Sequence, residues 1–454
     1  MTVIDNKFGL IGHPLGHSLS PWIHQKLMSH AGIEASYELI DINPQDFLQD
    51  MPKILSRFRG LNVTIPYKER IISLLDSLDN QASSLRSVNT VLNNRGYNTD
   101  REGFLSDGPV LYDRSVLILG AGGVSRMLAF AAAGERASRI IIWARRIEQA
   151  KLLADDVLKA WPDQRVEYLS DPDELPGRSW VVLHGTPAGM WPNTGTLPLP
   201  DKSIHLLLTK TAELYDTVYN PVSTRLVLMA KSAGIPAQGG LGMLFGQAAA
   251  AQRLWNPQAE FDDRFLNDLK DSLSAAVYDQ FPISIVLTGF MGSGKSTVGA
   301  MLSEYMGLPL VDLDSEIENK AGRSISDIFA QEGEAAFREM EYNMLASCLA
   351  AGRSQILATG GGALTAERNV ELVRGSPALT VYLNATLPEI KRRIGRGQSR
   401  PLWRDDQGEE LQKLYDRRQG IYSSVADRSI SADQEPEQLA AALAADLGYG
   451  GKRK

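Results

Sequence analysis

The run Gly289-Phe290-Met291-Gly292-Ser293-Gly294-Lys295-Ser296 is the most informative feature of this chain. It matches the pattern G-x-x-x-x-G-K-[ST] of the P-loop, in which glycines let backbone N–H groups point at phosphates. An apolar run at 285–287 precedes it and predicts a strand, and the segment from 297 onward predicts a helix. A strand, a glycine-rich loop and a helix in this order predict a nucleotide-binding α/β domain.

The side chains of this loop predict a site for a nucleotide and its metal. Lys295 is expected to bring a positive charge to the β- and γ-phosphates, and Ser296 to bind Mg²⁺. Asp312, after the next apolar run, is expected to help hold Mg²⁺ through water. A guanine-specific switch protein is not expected, because Asn319-Lys320-Ala321-Gly322 lacks the acid of the N-K-x-D motif. The predicted nucleotide-binding residues are Gly292, Gly294, Lys295, Ser296 and Thr297.

Length and composition predict a globular protein of several units. A chain of 454 residues suggests about three structural units. The net charge of -7 gives no general reason to bind nucleic acid. No uncharged stretch is long enough to span a bilayer, and the first residues lack a signal-peptide pattern, so no membrane partner is expected. The single cysteine, Cys348, is expected to be a buried small hydrophobe and suits a reducing compartment, the cytoplasm. The sequence leaves the oligomeric state open.

Short apolar bursts alternate with longer helical patterns, which predicts parallel sheets covered by helices. The predicted strands are 8–11, 36–42, 61–65, 88–92, 116–119, 140–143, 180–183 and 285–287. Helices are expected at 147–161 and 298–306. The predicted domains are an α/β substrate domain at 1–103 completed by 238–257, a Rossmann domain at 104–237, a helical linker at 258–282 and the P-loop domain at 283–446.

Further motifs in the last part of the chain name a family. In chain order they are Asp312-Leu313-Asp314, Gly333-Glu334 through Phe337-Arg338 to Glu341, Gly360-Gly361-Gly362, Arg400-Pro401-Leu402, and Arg418 to Tyr422 at the expected start of a late helix. This set resembles shikimate kinase over about residues 283–432, and implies a P-loop fold of the nucleoside-monophosphate-kinase type.

The residue types suit a small polyhydroxy acid as phosphate acceptor. Two arginines can clamp a carboxylate bidentately, and a glycine turn permits close backbone approach to a ring. The resemblance implies that shikimate is bound by Asp314, Arg338, Gly360, Gly361, Gly362 and Arg418. It also implies that Arg400 is a catalytic lid arginine that acts together with Lys295. The other basic residues nearby, Lys391-Arg392-Arg393 and Arg396, are interpreted mostly as a solvated face.

A second glycine-rich loop marks the first half of the chain. Gly120-Ala121-Gly122-Gly123 follows the apolar run 116–119, but the third glycine of G-x-G-x-x-G falls at Ser125. About twenty residues further on, where NAD-binding proteins place an acid, the chain has Arg145 and Arg146. Arginines there suit the 2′-phosphate of NADP(H); the alternative is a solvated helix start.

Six further runs, in family order, resemble shikimate dehydrogenase over about residues 7–255. They are Ser18 to Pro21, Asn62 to Lys68, Ser87 to Thr90, Gly96 to Asp100, Thr186 to Met190, and Asp216 to Pro221 followed by Gly240 to Gln247. The family assigns catalysis to the positions of Lys68 and Asp100, an acid/base pair that can reduce a ring ketone together with a nicotinamide.

The resemblance also implies the binding residues of this half. Ser18 and Ser20 are expected to hold the substrate carboxylate. The ring hydroxyls are expected to meet Asn62, Thr64, Asn89, Asp100 and Gln247, with Tyr219 on the cofactor side. Gly120, Gly122, Gly123, Arg145, Arg146, Met190 and Gly240 are the expected dinucleotide-binding residues. Asn89 and Asn98 have turn formation as their structural alternative.

Several positions depart from that family's pattern. Arg86-Ser87 stands where Gly-Ala is usual, Arg101 where Gly is usual, and His184-Gly185 where Asn-Ala or Asn-Thr is usual. Ala144 and Met127 also differ from the residues expected there. His184 is interpreted as a strand-end histidine whose hydrogen bonds are satisfied.

The two halves converge on one metabolite. The two resemblances together imply a bifunctional enzyme of aromatic amino-acid biosynthesis. It would combine a NADPH-dependent reductase that makes shikimate from 3-dehydroshikimate with a kinase that uses ATP to convert shikimate to shikimate 3-phosphate. The alternatives are a reductase of altered specificity, of the quinate type, or a regulatory first half that has lost activity. The expected partners are small-molecule substrates only.

Overall fold

A computed structural model describes residues 6–16, 18–394 and 408–449. These residues form three β-sheets, and the chain divides into two compact units. Unit 1 consists of Met1–Pro187, Pro198–Tyr219 and Pro236–Ala276, and unit 2 of Ala188–Leu197, Asn220–Ile235 and Val277–Lys454. None of the helices in the described ranges is long and apolar enough to cross a membrane.

The first sheet belongs to unit 1 and is mixed. Its strands are β1 (Lys7–Gly12), β2 (Ser36–Asp41), β3 (Gly60–Val63), β4 (Ser77–Leu78), β5 (Thr90–Leu92) and β6 (Arg95–Tyr97), in the order β2-β1-β3-β5-β6-β4. Strand β5 is antiparallel to both β3 and β6, so the prediction of a parallel sheet is wrong here. The β5–β6 pairing follows from the two-residue turn Asn93-Asn94, whose positive φ angles of 49° and 58° suit a tight hairpin.

The second sheet, also in unit 1, is parallel throughout, as predicted. Its strands are β7 (Ser115–Leu119), β8 (Arg139–Trp143), β9 (Val166–Leu169), β10 (Trp180–His184), β11 (Thr211–Asp216) and β12 (Ala237–Gly239). Their order β12-β11-β10-β7-β8-β9 is that of a doubly wound dinucleotide-binding sheet. The strand order reverses between β7 and β10, which places a ligand crevice at their carboxyl ends.

Nine helices lie in the segments of unit 1 that the structure describes, and one helix between them in the sequence belongs to unit 2. The ten are α1 (Ser20–His30), α2 (Phe47–Arg57), α3 (Asn80–Leu85), α4 (Asp100–Asp107), α5 (Gly123–Gly134), α6 (Ile147–Ala160), α7 (Asp201–Leu208), α8 (Arg225–Ser232, unit 2), α9 (Leu241–Trp255) and α10 (Asp263–Gln280). Short 3₁₀ helices span Arg70–Leu74 and Pro172–Glu174. Helix α10 begins in unit 1, covers most of the predicted linker and ends in unit 2.

Helix α9 returns the chain to the first sheet. Trp255 at its end is buried, stacks on Phe8 at 4.9 Å and donates from Nε1 to the carbonyl oxygen of Val91 (3.0 Å). A Cβ on Gly60 would lie 2.4 Å from the same indole nitrogen, so only glycine leaves room for this ring. The contact fixes the helix that carries Gln247 against the substrate-domain sheet.

The third sheet belongs to unit 2 and is parallel throughout. Its strands are β13 (Ser284–Thr288), β14 (Leu310–Asp312), β15 (Gln355–Ala358), β16 (Ala378–Asn384) and β17 (Arg428–Ser431), in the order β14-β15-β13-β16-β17. Its helices are α11 (Lys295–Met306), α12 (Leu313–Ala321), α13 (Ile325–Leu349), α14 (Glu367–Arg374), α15 (Leu387–Ile394), α16 (Gly408–Val425) and α17 (Pro436–Asp446), with a 3₁₀ turn at Ala363–Thr365.

One helix boundary in this unit was predicted wrongly. Arg418 does not open the late helix but lies in the second half of α16. Glu409 and Glu410 occupy the first turn of that helix, where acidic side chains interact favourably with the helix dipole.

Unit 2 also contains two short segments from earlier in the sequence. In α8, the Arg225 Nε lies 2.9 Å from the Asp427 Oδ1, and both side chains are about a tenth exposed. In the segment Ala188–Leu197, the buried Thr194 hydroxyl accepts a hydrogen bond from the Ala378 N–H (3.1 Å) at the start of β16. The predicted Rossmann domain, 104–237, includes both segments, whereas the structure groups them in unit 2 with the third sheet.

Candidate active sites

A lysine and a carboxylate meet at the end of the first sheet. Lys68 follows β3, Asp100 opens α4, and the Lys68 Nζ donates to the Asp100 Oδ2 at 2.5 Å. The side chains are 25% and 15% exposed, so the pair is partly shielded but reachable. Asn89 Nδ2 donates to the other carboxylate oxygen at 2.8 Å. The start of a helix favours the negative charge of Asp100. The pair can therefore hold a proton at a fixed place.

Buried amides extend this network. The Asn62 Oδ1 accepts from the hydroxyl of Tyr37 (2.8 Å), and its Nδ2 donates to the Thr90 Oγ1 (3.1 Å). The Asn89 Oδ1 accepts from the backbone N–H of Thr99 (2.7 Å), which fixes the amide that faces Asp100. Asn89 is therefore a buried polar side chain of the site and not only a turn former.

Asn98, by contrast, fits its structural alternative. Its Oδ1 accepts from the Asp100 N–H two residues on (3.1 Å), and its Nδ2 donates to the Ser87 carbonyl oxygen (2.9 Å). These bonds shape the turn that presents Asp100.

The remaining substrate residues of this half make local contacts. The Ser18 Oγ accepts from the N–H of Ser20, which is buried at the start of α1. Thr64 follows β3, and its backbone N–H donates to the carbonyl oxygen of Ile11 (2.8 Å). The Gln247 Nε2 donates to the Leu244 carbonyl oxygen within α9 (3.0 Å).

Tyr219 stands at the end of its segment of unit 1. Burial raises the pKa of Tyr219 to about 12, so its hydroxyl stays protonated and able to donate near neutral pH.

The second sheet presents a bare helix N-terminus at its ligand crevice. Gly120 has a φ of 118°, and a Cβ there would lie 2.6 Å from the Ser125 Oγ. A Cβ on Gly122 or Gly123, at the start of α5, would meet nothing within 4 Å. Open space around the N-terminal N–H groups of a helix suits a pyrophosphate.

Two of the departures from the family pattern explain each other. Ser125 stands where the third glycine is expected; it is fully buried, and its Oγ donates to the Gly185 carbonyl oxygen (3.1 Å). A Cβ on Gly185 would lie 2.4 Å from the same Oγ. The serine is accommodated because residue 185 is glycine.

The arginines expected to select the cofactor lie beside this loop. Arg145 and Arg146 follow β8, are exposed, and have no ion-pair partner among the residues that the structure describes. The Gly120 N–H donates to the carbonyl oxygen of Trp143, the last residue of β8 (2.7 Å), which joins the loop to the end of that strand.

The other two expected cofactor residues differ in their surroundings. Gly240 caps α9, and a Cβ there would lie 2.3 Å from the Thr217 carbonyl oxygen, so glycine is required. Met190 is 39% exposed and belongs to the segment Ala188–Leu197 of unit 2.

In unit 2 the P-loop has the expected geometry. Gly292 and Gly294 have φ angles of 76° and 94°, which favour glycine, and α11 begins at Lys295. The Lys295 Nζ lies over the loop and donates to the carbonyl oxygens of Gly289 (2.8 Å) and Phe290 (3.1 Å). The exposed Thr297 follows in the first turn of α11.

A hydroxyl and a carboxylate beside the loop suit Mg²⁺. The Ser296 Oγ donates to the Asp312 Oδ2 at 2.5 Å, so two hard oxygen ligands converge. No group of three or more His, Cys, Asp or Glu residues in the described ranges is arranged to hold a metal. The two oxygens therefore fit Mg²⁺ only together with phosphate and water ligands, which is the usual way that this ion is bound.

The predicted acceptor residues converge on the glycine turn 360–362. A Cβ on Gly360 would lie 2.8 Å from the Asp314 Oδ1, and one on Gly362 would lie 2.7 Å from the Arg338 Nη1. The Arg418 Nη1 donates to the Gly361 carbonyl oxygen (3.2 Å), which also accepts from the Tyr422 hydroxyl. One acid and two arginines thus lie against one glycine turn. Arg400 and Arg396 lie outside the described residues.

Sequence reasoning gave no role to Glu341, which the structure places in this site. It is 1% exposed, and its Oε2 accepts from the Arg338 Nη1 at 2.9 Å. Burial raises the pKa of Glu341, and the Arg338 guanidinium opposes that shift. A glutamate three residues after an arginine on a helix is the signal that could have identified it.

Lys391 and Arg392 are exposed, as expected for a mostly solvated face, and Arg393 is the exception. Arg393 is 22% exposed, pairs with Glu389 (2.6 Å) and donates from Nη1 to the carbonyl oxygen of Ser293 in the P-loop (3.2 Å). Its position four residues along α15 from Glu389 brings Arg393 to the face of the helix that meets the loop. Arg392 is half-exposed and pairs with the same glutamate (2.5 Å).

Comparison with known families matches both halves. The family profile described as "Shikimate dehydrogenase substrate binding domain" matches residues 10–91, and the one described as "Shikimate kinase" matches residues 291–447.

Curated relatives match the first half of the chain. The shikimate dehydrogenase (NADP(+)) of Caldanaerobacter subterraneus subsp. tengcongensis is 34% identical over 268 residues, 57% of this chain and 93% of that protein. The shikimate dehydrogenase (NADP(+)) of Halothermothrix orenii is 38% identical over 262 residues, 54% of this chain and 89% of that protein.

Solved structures agree. The shikimate 5-dehydrogenase of Thermus thermophilus, in complex with NADP(H) and shikimate, has a TM-score of 0.51 and 30% identity, covering 59% of this chain and 98% of that one. A chorismate mutase/shikimate 5-dehydrogenase fusion protein from Clostridium acetobutylicum has a TM-score of 0.53 and 28% identity, covering 60% of this chain and 98% of that one.

Proposed function

We propose that this chain, which belongs to the shikimate dehydrogenase family and carries a shikimate kinase domain behind it, catalyses two consecutive reactions on one metabolite. The first half reduces 3-dehydroshikimate to shikimate with NADPH, and the second half phosphorylates shikimate with ATP to give shikimate 3-phosphate. The observation that carries the proposal is that one chain holds both the Lys68–Asp100 pair and a P-loop domain whose two arginines face a glycine turn.

In the reductase half, Lys68 is the proton donor. NADPH, when bound, supplies the hydride for the ring carbonyl carbon. The Lys68 Nζ holds a proton against the Asp100 Oδ2, from which it can pass to the carbonyl oxygen as that oxygen becomes a hydroxyl. Asp100 is kept in place by Asn89, and the Asn62 and Asn89 amides suit the ring hydroxyls. Ser18 and Ser20 are proposed to hold the carboxylate.

NADP(H) is the dinucleotide that this half is built to use. The bare start of α5 suits the pyrophosphate, and the exposed Arg145 and Arg146 suit a 2′-phosphate, which guanidinium groups bind bidentately. An acid at this place, which NAD-binding proteins use for the ribose hydroxyls, is replaced by these cations.

In the kinase half, positioning and charge neutralisation carry the reaction. Arg338 and Arg418 are proposed to clamp the shikimate carboxylate, and Asp314 to accept a hydrogen bond from the hydroxyl that attacks the phosphorus. Lys295 and the loop N–H groups hold the phosphates, with Ser296 and Asp312 on the Mg²⁺ side. Arg400 remains the predicted lid arginine. The proposed partners are small molecules. The single cysteine, together with the use of NADPH and ATP, suits the cytoplasm.

Two variants of the full chain test the proposal. With purified protein, 3-dehydroshikimate and NADPH should give oxidation at 340 nm, and shikimate with ATP should give ADP. The K68A variant should lose the first activity and keep the second, and K295A should do the reverse. Kinase activity without NADPH oxidation in the unaltered chain would favour a regulatory first half instead. Faster turnover of quinate than of shikimate would favour the altered-specificity alternative.

A further inference from the structure

His184 is fully buried at the end of β10 and has partners on both ring nitrogens. Its Nδ1 lies 2.8 Å from the Asp216 Oδ1, and its Nε2 lies 2.5 Å from the Thr186 Oγ1. Asp216, at the end of the neighbouring strand β11, is also fully buried and pairs directly with His184 in the parallel ladder. As predicted, both ring nitrogens of His184 have hydrogen-bond partners, and one of these partners, Thr186, lies beside the glycine-rich loop.

The direction of the hydrogen bonds follows from the acid. A carboxylate only accepts, so the proton between His184 and Asp216 sits on Nδ1. In the neutral ring Nε2 is then an acceptor, and the Thr186 hydroxyl donates to it. The Asp216 Oδ1 also accepts from the N–H of Val218 (3.0 Å), so the acid is anchored by backbone as well.

The far end of this chain of bonds touches the glycine-rich loop. Residue 185 follows β10, and its N–H donates to the Leu119 carbonyl oxygen at the end of β7 (2.9 Å). A Cβ on Gly120 would lie 3.0 Å from the Thr186 Cγ2, so the threonine packs against the loop backbone. The strands β7 and β10 flank the point where the strand order reverses, which is where a dinucleotide crosses such a sheet.

We propose that Asp216 and His184 are positioning residues that hold Thr186 against the glycine-rich loop. In this way they preorganise the dinucleotide-binding site at the β7–β10 crevice. The inference rests on the proposed reductase function. A turn held in advance costs less conformational entropy when the cofactor binds. These hydrogen bonds between Asp216, His184 and Thr186 therefore act on the affinity for the dinucleotide and not on the binding of 3-dehydroshikimate.

The most informative variant is T186V, because it removes only the hydroxyl and leaves the buried His184–Asp216 pair intact. We expect a roughly three- to tenfold rise in the Kd for NADP⁺ and in the KM for NADPH, the range for one lost hydrogen bond. The KM for 3-dehydroshikimate should change less than about twofold. T211V is the matched control: the Thr211 hydroxyl donates to the Leu207 carbonyl oxygen (2.8 Å) at the start of β11. It should leave both dinucleotide constants unchanged.

Variants of the histidine complete the test. H184L should weaken NADP⁺ binding more than T186V does, and H184Q, which keeps a polar side chain, should recover part of the loss. The Kd for NADP⁺ is read from tryptophan fluorescence, with the melting temperature and the kinase rate reporting folding. Unchanged NADP⁺ affinity in T186V, or an equal loss in T211V, would overturn the proposal. So would an H184L chain that is less stable but binds NADP⁺ normally. An absence of NADPH oxidation in the unaltered chain would refute the reductase function. The comparison of the Kd for NADP⁺ between T186V and T211V would still test this inference.

Discussion

Replacing Glu341 by glutamine offers a quantitative test of the kinase site, because two carboxylates hold the same guanidinium. The Arg338 Nη1 lies 2.9 Å from the Glu341 Oε2, and its Nη2 lies 3.1 Å from the Glu334 Oε1. The Glu341 side chain is 1% exposed and the Glu334 side chain 67% exposed. A hydrogen bond to a charged group is worth about 1.5–3 kcal/mol when shielded, whereas an exposed pair contributes about 0–1 kcal/mol.

These magnitudes translate into different kinetics for E341Q and E334Q. If Arg338 must be oriented to clamp the substrate carboxylate, E341Q should raise the KM for shikimate roughly tenfold to a hundredfold at saturating ATP. E334Q should raise it less than about fivefold. The rate of NADPH oxidation in the same preparation reports whether the chain is folded. An E334Q effect equal to that of E341Q, or an unchanged KM in E341Q, would refute the reasoning.

The same residue gives a pH signature with a defined sign. Burial raises the pKa of Glu341 in the folded chain above the ordinary value, so the folded state holds the proton more tightly than the unfolded state. Its contribution to stability is therefore complete below the ordinary glutamate pKa and is lost as the pH rises through the raised pKa. The free energy of unfolding of the unaltered chain, minus that of E341Q, should fall with rising pH across that window. Denaturant titrations at several pH values would measure this, and a difference that grows with pH would contradict the assignment.

Three further substitutions test other parts of the structure. Removing both guanidinium groups in R145A/R146A should raise the KM for NADPH roughly tenfold to a hundredfold and leave the KM for NADH unchanged, and an equal effect on both would refute the 2′-phosphate assignment. R225M leaves a buried carboxylate without its cation and should lower the free energy of unfolding of unit 2 by about 3–5 kcal/mol in denaturant titration; no loss would show that the pair is dispensable. G185A should destabilise the chain by about 1–3 kcal/mol through its clash with the Ser125 Oγ, and adding S125G should restore most of the melting temperature. A double variant no more stable than G185A would contradict the steric explanation.

Much of the fold could be predicted because its signals are local. The glycine loops at 120–123 and 289–294 need positive φ angles or open backbone, and the strands and helices that flank them lie where the apolar patterns placed them. The antiparallel hairpin at Asn93-Asn94 was missed, although asparagine is one of the few residues other than glycine that tolerate the positive φ angles of such a turn. Arg86, in place of a family glycine, adopts a φ of 50° at the end of α3, so the backbone shape persists with a residue that does not favour it.

The residues of the candidate sites could be predicted where the residue type itself indicates the chemical role of the side chain. Lys68 and Asp100 were named as an acid/base pair from family resemblance, and the structure brings them to 2.5 Å. Glu341 was missed because a glutamate on a polar helix is ordinarily solvent-exposed, and only packing shows that this one is buried. The hydrogen bond between His184 and Asp216 could not be predicted from the sequence around His184, because Asp216 lies 32 residues away on another strand.

Phosphate binding, carboxylate clamping and proton donation rest on loops, strands and residue types that can be identified from the sequence alone. These properties depend on backbone freedom and side-chain chemistry, which each residue carries wherever it lies. The contacts between distant groups depend on the folded chain: Ser125 meets Gly185, 60 residues away, and Arg225 meets Asp427. Such meetings depend on how strands and helices pack to within a few tenths of an ångström, because a single Cβ at residue 185 would close the space that Ser125 occupies.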